Sequence, residues 1–411
     1  MPEFLRLLPP HEALELLLKN LPALRSASEE VETASAVGRV TAVPVLAPLS
    51  LPPFPRSTVD GYAVRAGDTY GASDSLPAYL ILAGEVPMGG APDFHLERGQ
   101  AALIHTGGML PDNADAVVML EHTQIARQGE VEVLRAAAVA ENVLRAGEDL
   151  QQGDTAIDAG VRLRPAEVGG LMALGVTSLR VALRPRVGIL SSGDEVVPPE
   201  RQPGPGQVRD VNSYTLSALV EQDGGRPVRY GIVPDRAEAL RDRLAQALAE
   251  CDAVVITAGS SASARDLTAQ EIQRAGGPGV LAHGVNVRPG KPTILAVCNG
   301  KPAIGLPGNP VSALVIARLF VTPVVEALLG LPPRRIRAGW TARLAVNVAS
   351  QAGREDWVPV RLLQSENGIT ADPIFYKSNL IFSLARADGL MRIPPDVTGY
   401  AAGEDVEVFI L

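Results

Sequence analysis

Three glycine- and proline-rich loops, each just past a β-branched apolar run, constrain the fold of this chain more than any other feature. They are Ser191–Glu195 (SSGDE), Ala258–Ser261 (AGSS) and Leu306–Pro310 (LPGNP). The runs before them, Val187–Leu190, Val254–Thr257 and Ala303–Gly305, read as short buried strands. The spacing predicts strands near 187–191 and 228–233 and at 253–257, alternating with helices near 212–223, 236–250 and 266–275. Two more strands, 280–287 and 293–298, precede strand 302–305 and a long helix after Pro310. This alternation is the grammar of a doubly wound α/β domain. Ligands of such sheets lie beyond the carboxyl ends of the strands, where the three loops fall.

The chain has 411 residues, more than one core normally fills, so several domains are expected. Leu14, Leu17, Leu18 and Leu21 recur at helical spacing near the start. From about residue 43 the pattern changes to short β-like runs, Tyr79–Leu82, Ala102–His105, Val117–Leu120 and Glu130–Leu134, and Ala166–Leu174 then reads as helical. A chain that leaves and re-enters a helical region predicts an insertion. The expected division is a discontinuous helical and mixed domain (1–44 plus 140–184) and an inserted β-rich domain (45–139). The central α/β domain (185–331) and a C-terminal β-barrel-like domain (332–411) follow.

Net charge of −9 argues against a general nucleic-acid binder. Cys251 and Cys298 are the only cysteines, match no zinc or redox spacing, and read as core residues. With no recognisable signal peptide, the expected compartment is the cytoplasm. The apolar stretch Pro310–Leu331 carries Arg318 and Glu326 and reads as a buried helix rather than a membrane span. Neither a Walker-type loop, nor GxGxxG, nor HExxH occurs, and the five histidines are scattered.

The loops carry the chemistry. In Leu306–Pro310, Asn309 suits an N-cap and Pro310 the first helical turn, so the helix start offers N–H groups to an oxyanion. A plain helix start is the competing reading. In Arg288–Pro292 (RPGKP) a Pro-Gly turn separates Arg288 and Lys291, a two-pronged clamp and a point charge suited to an oxyanion; a solvated hairpin competes. Asp194, Glu195, Asp235 and Asp266 recur at strand ends, with Asp60 and Glu148-Asp149 in earlier loops. Carboxylates beside a phosphate site point to a hard cation such as Mg²⁺. Asp235 and Asp266 also read as simple N-caps.

Taken together the chain resembles the molybdopterin molybdenumtransferase family, which includes the gephyrin E-domain. The resemblance is carried by Pro53–Val64 (PFPRSTVDGYAV), Thr106–Gly108 with Ala114–Val118, Arg145–Asp154 (RAGEDLQQGD), Gly188–Val196 (GILSSGDEV), Asp210–Ser213 (DVNS), Arg288–Pro292 and Gly305–Ala313 (GLPGNPVSA). It implies a homodimer of four-domain subunits whose cleft is shared with the partner's β-rich domain. The implied reaction is insertion of molybdate into adenylylated molybdopterin, with a divalent metal and release of AMP.

Family roles then fall on Asp60, Asp149, Glu195, Asp235 and Asp266 as catalytic carboxylates, with Glu195 and Asp266 as metal ligands. Substrate contacts fall on Thr106, Ser192, Gly193, Gly259, Ser260, Arg288, Lys291, Pro307, Gly308, Asn309, Pro310 and Ser312. Molybdate contacts fall on Arg354 and Ser383. The chain departs from the family at Gly259–Arg265 (GSSASAR) in place of a GGVSVG-like stretch. It has Gly284 where some relatives carry a lysine. Pro359 stands where many relatives place an arginine, with Arg361 nearby. A non-enzymatic scaffold or molybdopterin carrier, an adenylylating enzyme and a tungstate-inserting paralogue are the alternatives. Other cofactor-synthesis proteins and apo-molybdoenzymes are the partners the resemblance implies.

Overall fold

The computed structural model describes residues 7–22, 27–258, 262–332, 339–366, 368–375 and 377–410. The chain forms two compact units. One contains residues 30–37 and 43–179; the other contains 1–29, 38–42 and 180–411.

The unit containing 43–179 is built on a six-stranded sheet, in the order Ala116–Met119, Gly61–Val64, Gln100–Ile104, Ala78–Glu85, Glu130–Val133, Thr123–Arg127. All four β-like runs of the sequence lie in it or overlap it. Its central strands bury both faces by simple alternation: Tyr62 and Val64 join one cluster, Ala63 the other.

The second unit begins with helix α1 (Pro10–Lys19) and contains the α/β sheet. Its strands are β1 (Arg186–Ser192), β2 (Arg226–Val233), β3 (Ala253–Ala258), β4 (Pro278–His283), β5 (Ile294–Cys298) and β6 (Lys301–Pro307), in the order β2-β1-β3-β6-β5-β4. The first four in that order are parallel, and β5 pairs antiparallel with both its neighbours. Helices α2 (Asn212–Gln222), α3 (Ala237–Glu250), α4 (Ala262–Arg274) and α5 (Pro310–Leu328) follow in chain order. β3 shows why the fold is three-layered. Ala253 and Val255 point into one cluster with α1, α2 and α5, while Val254 and Ile256 point into another with α3 and α4. A strand buried on both faces needs a continuous apolar run, which β3 supplies.

α5 is long and apolar enough to span a bilayer by length and composition, yet Val311, Val315, Ile316, Phe320 and Val324 lie in the core. One π-helical turn, Ala317–Val321, interrupts it. Both cysteines are free and buried, and burial pushes the Cys298 thiol up to about 11.

The C-terminal strands β7 (Trp340–Leu344), β8 (Glu355–Ser365), β9 (Gly368–Pro373), β10 (Gly389–Ile393) and β11 (Asp405–Ile410) close into a five-stranded barrel, in the order β8-β9-β7-β11-β10 and back to β8. Its interior holds Leu344, Val360, Ala371, Met391, Val406 and Val408. Trp357, Leu390 and Phe409 join the same apolar cluster as α5 instead, so barrel and sheet share a core.

Three expectations are corrected. The strand expected over 280–287 stops at His283, because Gly284 turns the chain at φ +105°. The chain then leaves the sheet, and Val287–Arg288 pairs with Glu355–Asp356 of the barrel. α4 starts at Ala262, so Asp266 sits inside the helix rather than at its cap. Arg236, not Asp235, is the N-cap of α3.

Glu271, a fully buried side chain on α4, accepts hydrogen bonds from Arg241 of α3 at 2.9 Å and from Arg274 at 2.6 Å. The Arg241 hydrogen bond leads in holding its carboxyl below the ordinary 4.5. A folded-state pKa below the unfolded one gives stability that is fully present above the unfolded value and lost as pH falls through the folded one. Glu271→Gln should therefore cost about 1–3 kcal/mol at pH 7 and less towards pH 3. Denaturant melts of both proteins over pH 3–7 check this; a constant gap across the range would contradict the ion-pair account.

Candidate functional site

Two neighbouring cavities open at the carboxyl end of the sheet, of about 990 Å³ and about 620 Å³. Gly308 and Asn309 line both, so the loop after β6 is a common wall.

The smaller cavity is floored by the ends of β1 and β3, through Ser191, Ser192 and Thr257. Its organiser is Asp210, 6% exposed. Asp210 accepts from Ser191 Oγ at 3.0 Å, Ser213 Oγ at 2.6 Å and the Ser213 N–H at 3.1 Å. From one residue before the N-cap Val211, it thus satisfies a first-turn N–H of α2 and ties the helix to β1. Asn212 Nδ2 donates to the Gly308 carbonyl at 2.8 Å and joins the start of α2 to the third loop. Ser192 Oγ donates to Asp235, whose own N–H donates to Asp194 at 3.3 Å. Glu195 is exposed and lines this cavity.

The larger cavity lies between the α/β loops and the barrel, and Arg288, Lys291, Arg354 and Lys377 line it against the single carboxylate Asp356. Gly290 places the first two cations: φ is +110°, and a Cβ there would stand 2.2 Å from Ile316 Cγ1 of α5. Arg354 grips Asp356 with two hydrogen bonds, 2.6 and 3.0 Å, and Arg288 Nη1 lies 3.6 Å from it. Net positive lining suits this cavity to an oxyanion.

Asn309 occupies the N-cap of α5 without bonding back to the helix; its side-chain amide donates to Ser378 Oγ at 3.0 Å. The Val311 N–H is taken by the Ser378 carbonyl at 3.1 Å, so the helix start is partly satisfied by the segment after β9. Pro307, Asn309 and Ser312 line the larger cavity and Pro310 the smaller one. Gly193 has φ +149° in the turn after β1.

In the other unit, Asp60 accepts from the Thr106 N–H at 2.8 Å and its hydroxyl at 3.2 Å, with His105 Nδ1 at 3.6 Å. The Thr106 N–H leads in holding the Asp60 carboxyl below its ordinary value, with the Thr106 hydroxyl and His105 adding to it. Asp149 is exposed in its own loop, its N–H donating to the Leu51 carbonyl at 3.0 Å.

Asp266, exposed on α4, and Ser383, in the short helix Phe382–Ala385, line neither cavity, and nor does Arg361. Gly259 and Ser260 lie outside the described residues. Sequence reasoning did not single out Asp356, Lys377 or Ser378. The only signal for Asp356 was an Arg-Glu-Asp run entering a strand, and Lys377 carried none.

Among the described residues no three His, Cys, Asp or Glu side chains cluster as a metal cage. Glu195 and Asp210 nonetheless line the smaller cavity, and Asp235 meets its wall through Ser192. Mg²⁺ is commonly held by one or two carboxylates together with substrate phosphates, and the donor set fits that mode.

Fold and cavities define a multidomain protein with a basic cleft between an α/β sheet and a β-barrel. The MoeA N-terminal region (domain I and II) matches residues 8–175, the "Probable molybdopterin binding domain" 188–327, and the MoeA C-terminal region (domain IV) 341–411. The molybdopterin molybdenumtransferase of Nostoc sp. is 34% identical, over 93% of this chain and 89% of its own. Molybdopterin molybdenumtransferase 2 of Mycobacterium tuberculosis is 34% identical, over 93% of this chain and 94% of its own. The crystal structure of the molybdopterin biosynthesis MoeA protein from Pyrococcus horikoshii OT3 superposes with a TM-score of 0.85 at 31% identity, covering 99% and 100% of the two chains. The chain belongs to the molybdopterin molybdenumtransferase (MoeA) family.

Proposed function

We propose that this protein inserts molybdate into adenylylated molybdopterin, yielding molybdenum cofactor and AMP, in the cytoplasm and as a homodimer. The observation that carries this is the pair of cavities sharing Gly308 and Asn309. One is basic and suits phosphate and molybdate, and the other is lined by hydroxyls and carboxylates. A substrate that joins a phosphoanhydride to a pterin dithiolene needs both environments side by side.

In this reading Arg288, Lys291 and Arg354 neutralise oxyanions, and Pro307, Gly308, Asn309, Pro310 and Ser312 shape the wall between the two ends. Ser192, Gly193 and Asp235 position the anhydride, and Asp60, Thr106 and Asp149 complete the cleft from a second copy. Gly259, Ser260, Asp266 and Ser383 keep the roles that the family resemblance gives them. The rate gain comes from alignment and fixed charge rather than from a strong base. Glu195 would hold Mg²⁺ at the smaller cavity, with Asp266 as the second ligand that the family resemblance gives, and the ion would supply charge neutralisation at the phosphoanhydride when bound. The finer division into four domains at 44/45, 139/140, 184/185 and 331/332 belongs to the same proposal.

The test is AMP release from adenylylated molybdopterin, with and without molybdate and Mg²⁺. Release that needs both, with product able to activate an apo-molybdoenzyme, is the expected result. Tight binding without release would replace the transferase reading with that of a carrier. Lys291→Ala should weaken substrate binding about 10- to 100-fold, the loss of one charge-assisted contact, with an unchanged melting temperature.

A further inference from the structure

The four cations of the basic cavity are not equivalent. Arg354 is gripped by both oxygens of Asp356, whose side chain is 4% exposed, and Arg288 approaches the same carboxylate. Two guanidiniums therefore share one buried negative charge, which orients Arg354 and cancels part of the field of both. Among the described residues Lys291 and Lys377 pair with no carboxylate. They are the cations whose charge is left for a ligand.

The described residues on either side of Lys377 are also tied down. The Ile374 N–H donates to the Pro359 carbonyl at 2.8 Å, and Ser378 is tied to Asn309 and Val311 at the start of α5. Ile374 is thus anchored to β8, and Ser378, next to Lys377, to the loop shared by both cavities. Anchoring the backbone lowers the entropy lost when a long side chain is ordered on a ligand.

We infer that Lys377 is an oxyanion-binding residue of this cavity, contributing with Lys291 the charge that holds a tetrahedral oxyanion. This rests on the oxyanion reading of the cavity. It adds a residue that the chain supplies from the segment after β9, while Arg361 stays outside the cavity.

The tetrahedral oxyanion has two sources, free molybdate and the phosphate of the nucleotide, so titration calorimetry is run with molybdate alone and with AMP alone. The proteins are wild type, Lys377→Gln and Lys19→Gln, Lys19 being an exposed residue of α1 that lines neither cavity. Lys377→Gln should weaken at least one of the two ligands about 10- to 100-fold, the range for one charge-assisted contact. It should also flatten the salt dependence of that binding without moving the melting temperature, and Lys19→Gln should match wild type. The arm that weakens identifies the source. Unchanged affinity for both ligands in Lys377→Gln, with wild type binding normally, overturns the role of Lys377 alone. Wild type that binds neither ligand overturns the oxyanion reading of the cavity and the inference with it.

Discussion

Gly290→Ala is expected to destabilise the protein by about 2–5 kcal/mol and to abolish the oxyanion cavity. Two costs add. At φ +110° a residue with a Cβ pays for a conformation that L side chains rarely adopt, about 1–2 kcal/mol. The same Cβ would stand 2.2 Å from Ile316 Cγ1 and 2.4 Å from Cδ1, inside the core of α5, and overpacking of that kind costs about 1–3 kcal/mol. Ile316 is fully buried and has no room to retreat. The turn must then shift, carrying Arg288 and Lys291 with it. Denaturant midpoints report the first effect, and molybdate affinity at a temperature where the variant stays folded reports the second. Ile316→Ala in the Gly290→Ala background should recover part of the affinity by opening space, which separates the clash from the backbone strain. A single variant as stable as wild type would contradict both costs.

Phe320→Ala is expected to cost about 3–5 kcal/mol, the range for emptying a fully buried aromatic site. Phe320 is wholly buried in the π-helical turn of α5, within the cluster that sheet, helices and barrel share. Because that cluster is close-packed, the cavity left behind cannot collapse fully. A comparison variant, Leu380→Ala at a side chain 51% exposed, should stay within about 0.5 kcal/mol. Unfolding in guanidinium, followed by tryptophan fluorescence, measures both. Phe320→Ala matching Leu380→Ala would mean that the core tolerates the loss.

The two effects differ in how visible they were beforehand. Phe320 lies in an apolar run that announces burial, and the alternation of Val254, Val255 and Ile256 announces a strand covered on both faces. Such readings work because each side chain's environment follows from the period of its own element. The requirement for glycine at 290 was only half visible. Pro-Gly between two cations reads as a turn, but nothing local says that Ile316, twenty-six residues on, fills the space where a Cβ would go.

The site divides along the same line. The loops after β1 and β6 and the Arg288–Lys291 turn were legible because glycine, proline and charge at strand ends are local signals. The strand expected to run to 287 instead broke at Gly284 and gave its last two residues to the barrel, since register between sheets is a long-range choice. That exchange brings Arg288 within reach of Asp356. Asp235 was readable as a cap, and became a partner of Ser192 only because β1 and β2 lie side by side.

By itself the sequence determined the alternating α/β architecture, the buried helix after Pro310, the β-like runs between Tyr79 and Leu134 and the loops that carry polar chemistry. It could do so because periodicity and turn chemistry act over a few residues. Only the tertiary structure decided which charges face the cavity and which are spent on each other. Arg354 and Asp356 are sequence neighbours, but bringing Arg288 to the same carboxylate, and leaving Lys291 and Lys377 without a carboxylate partner among the described residues, depends on distances between elements more than sixty residues apart. Coulomb energies follow those distances, not positions in the chain.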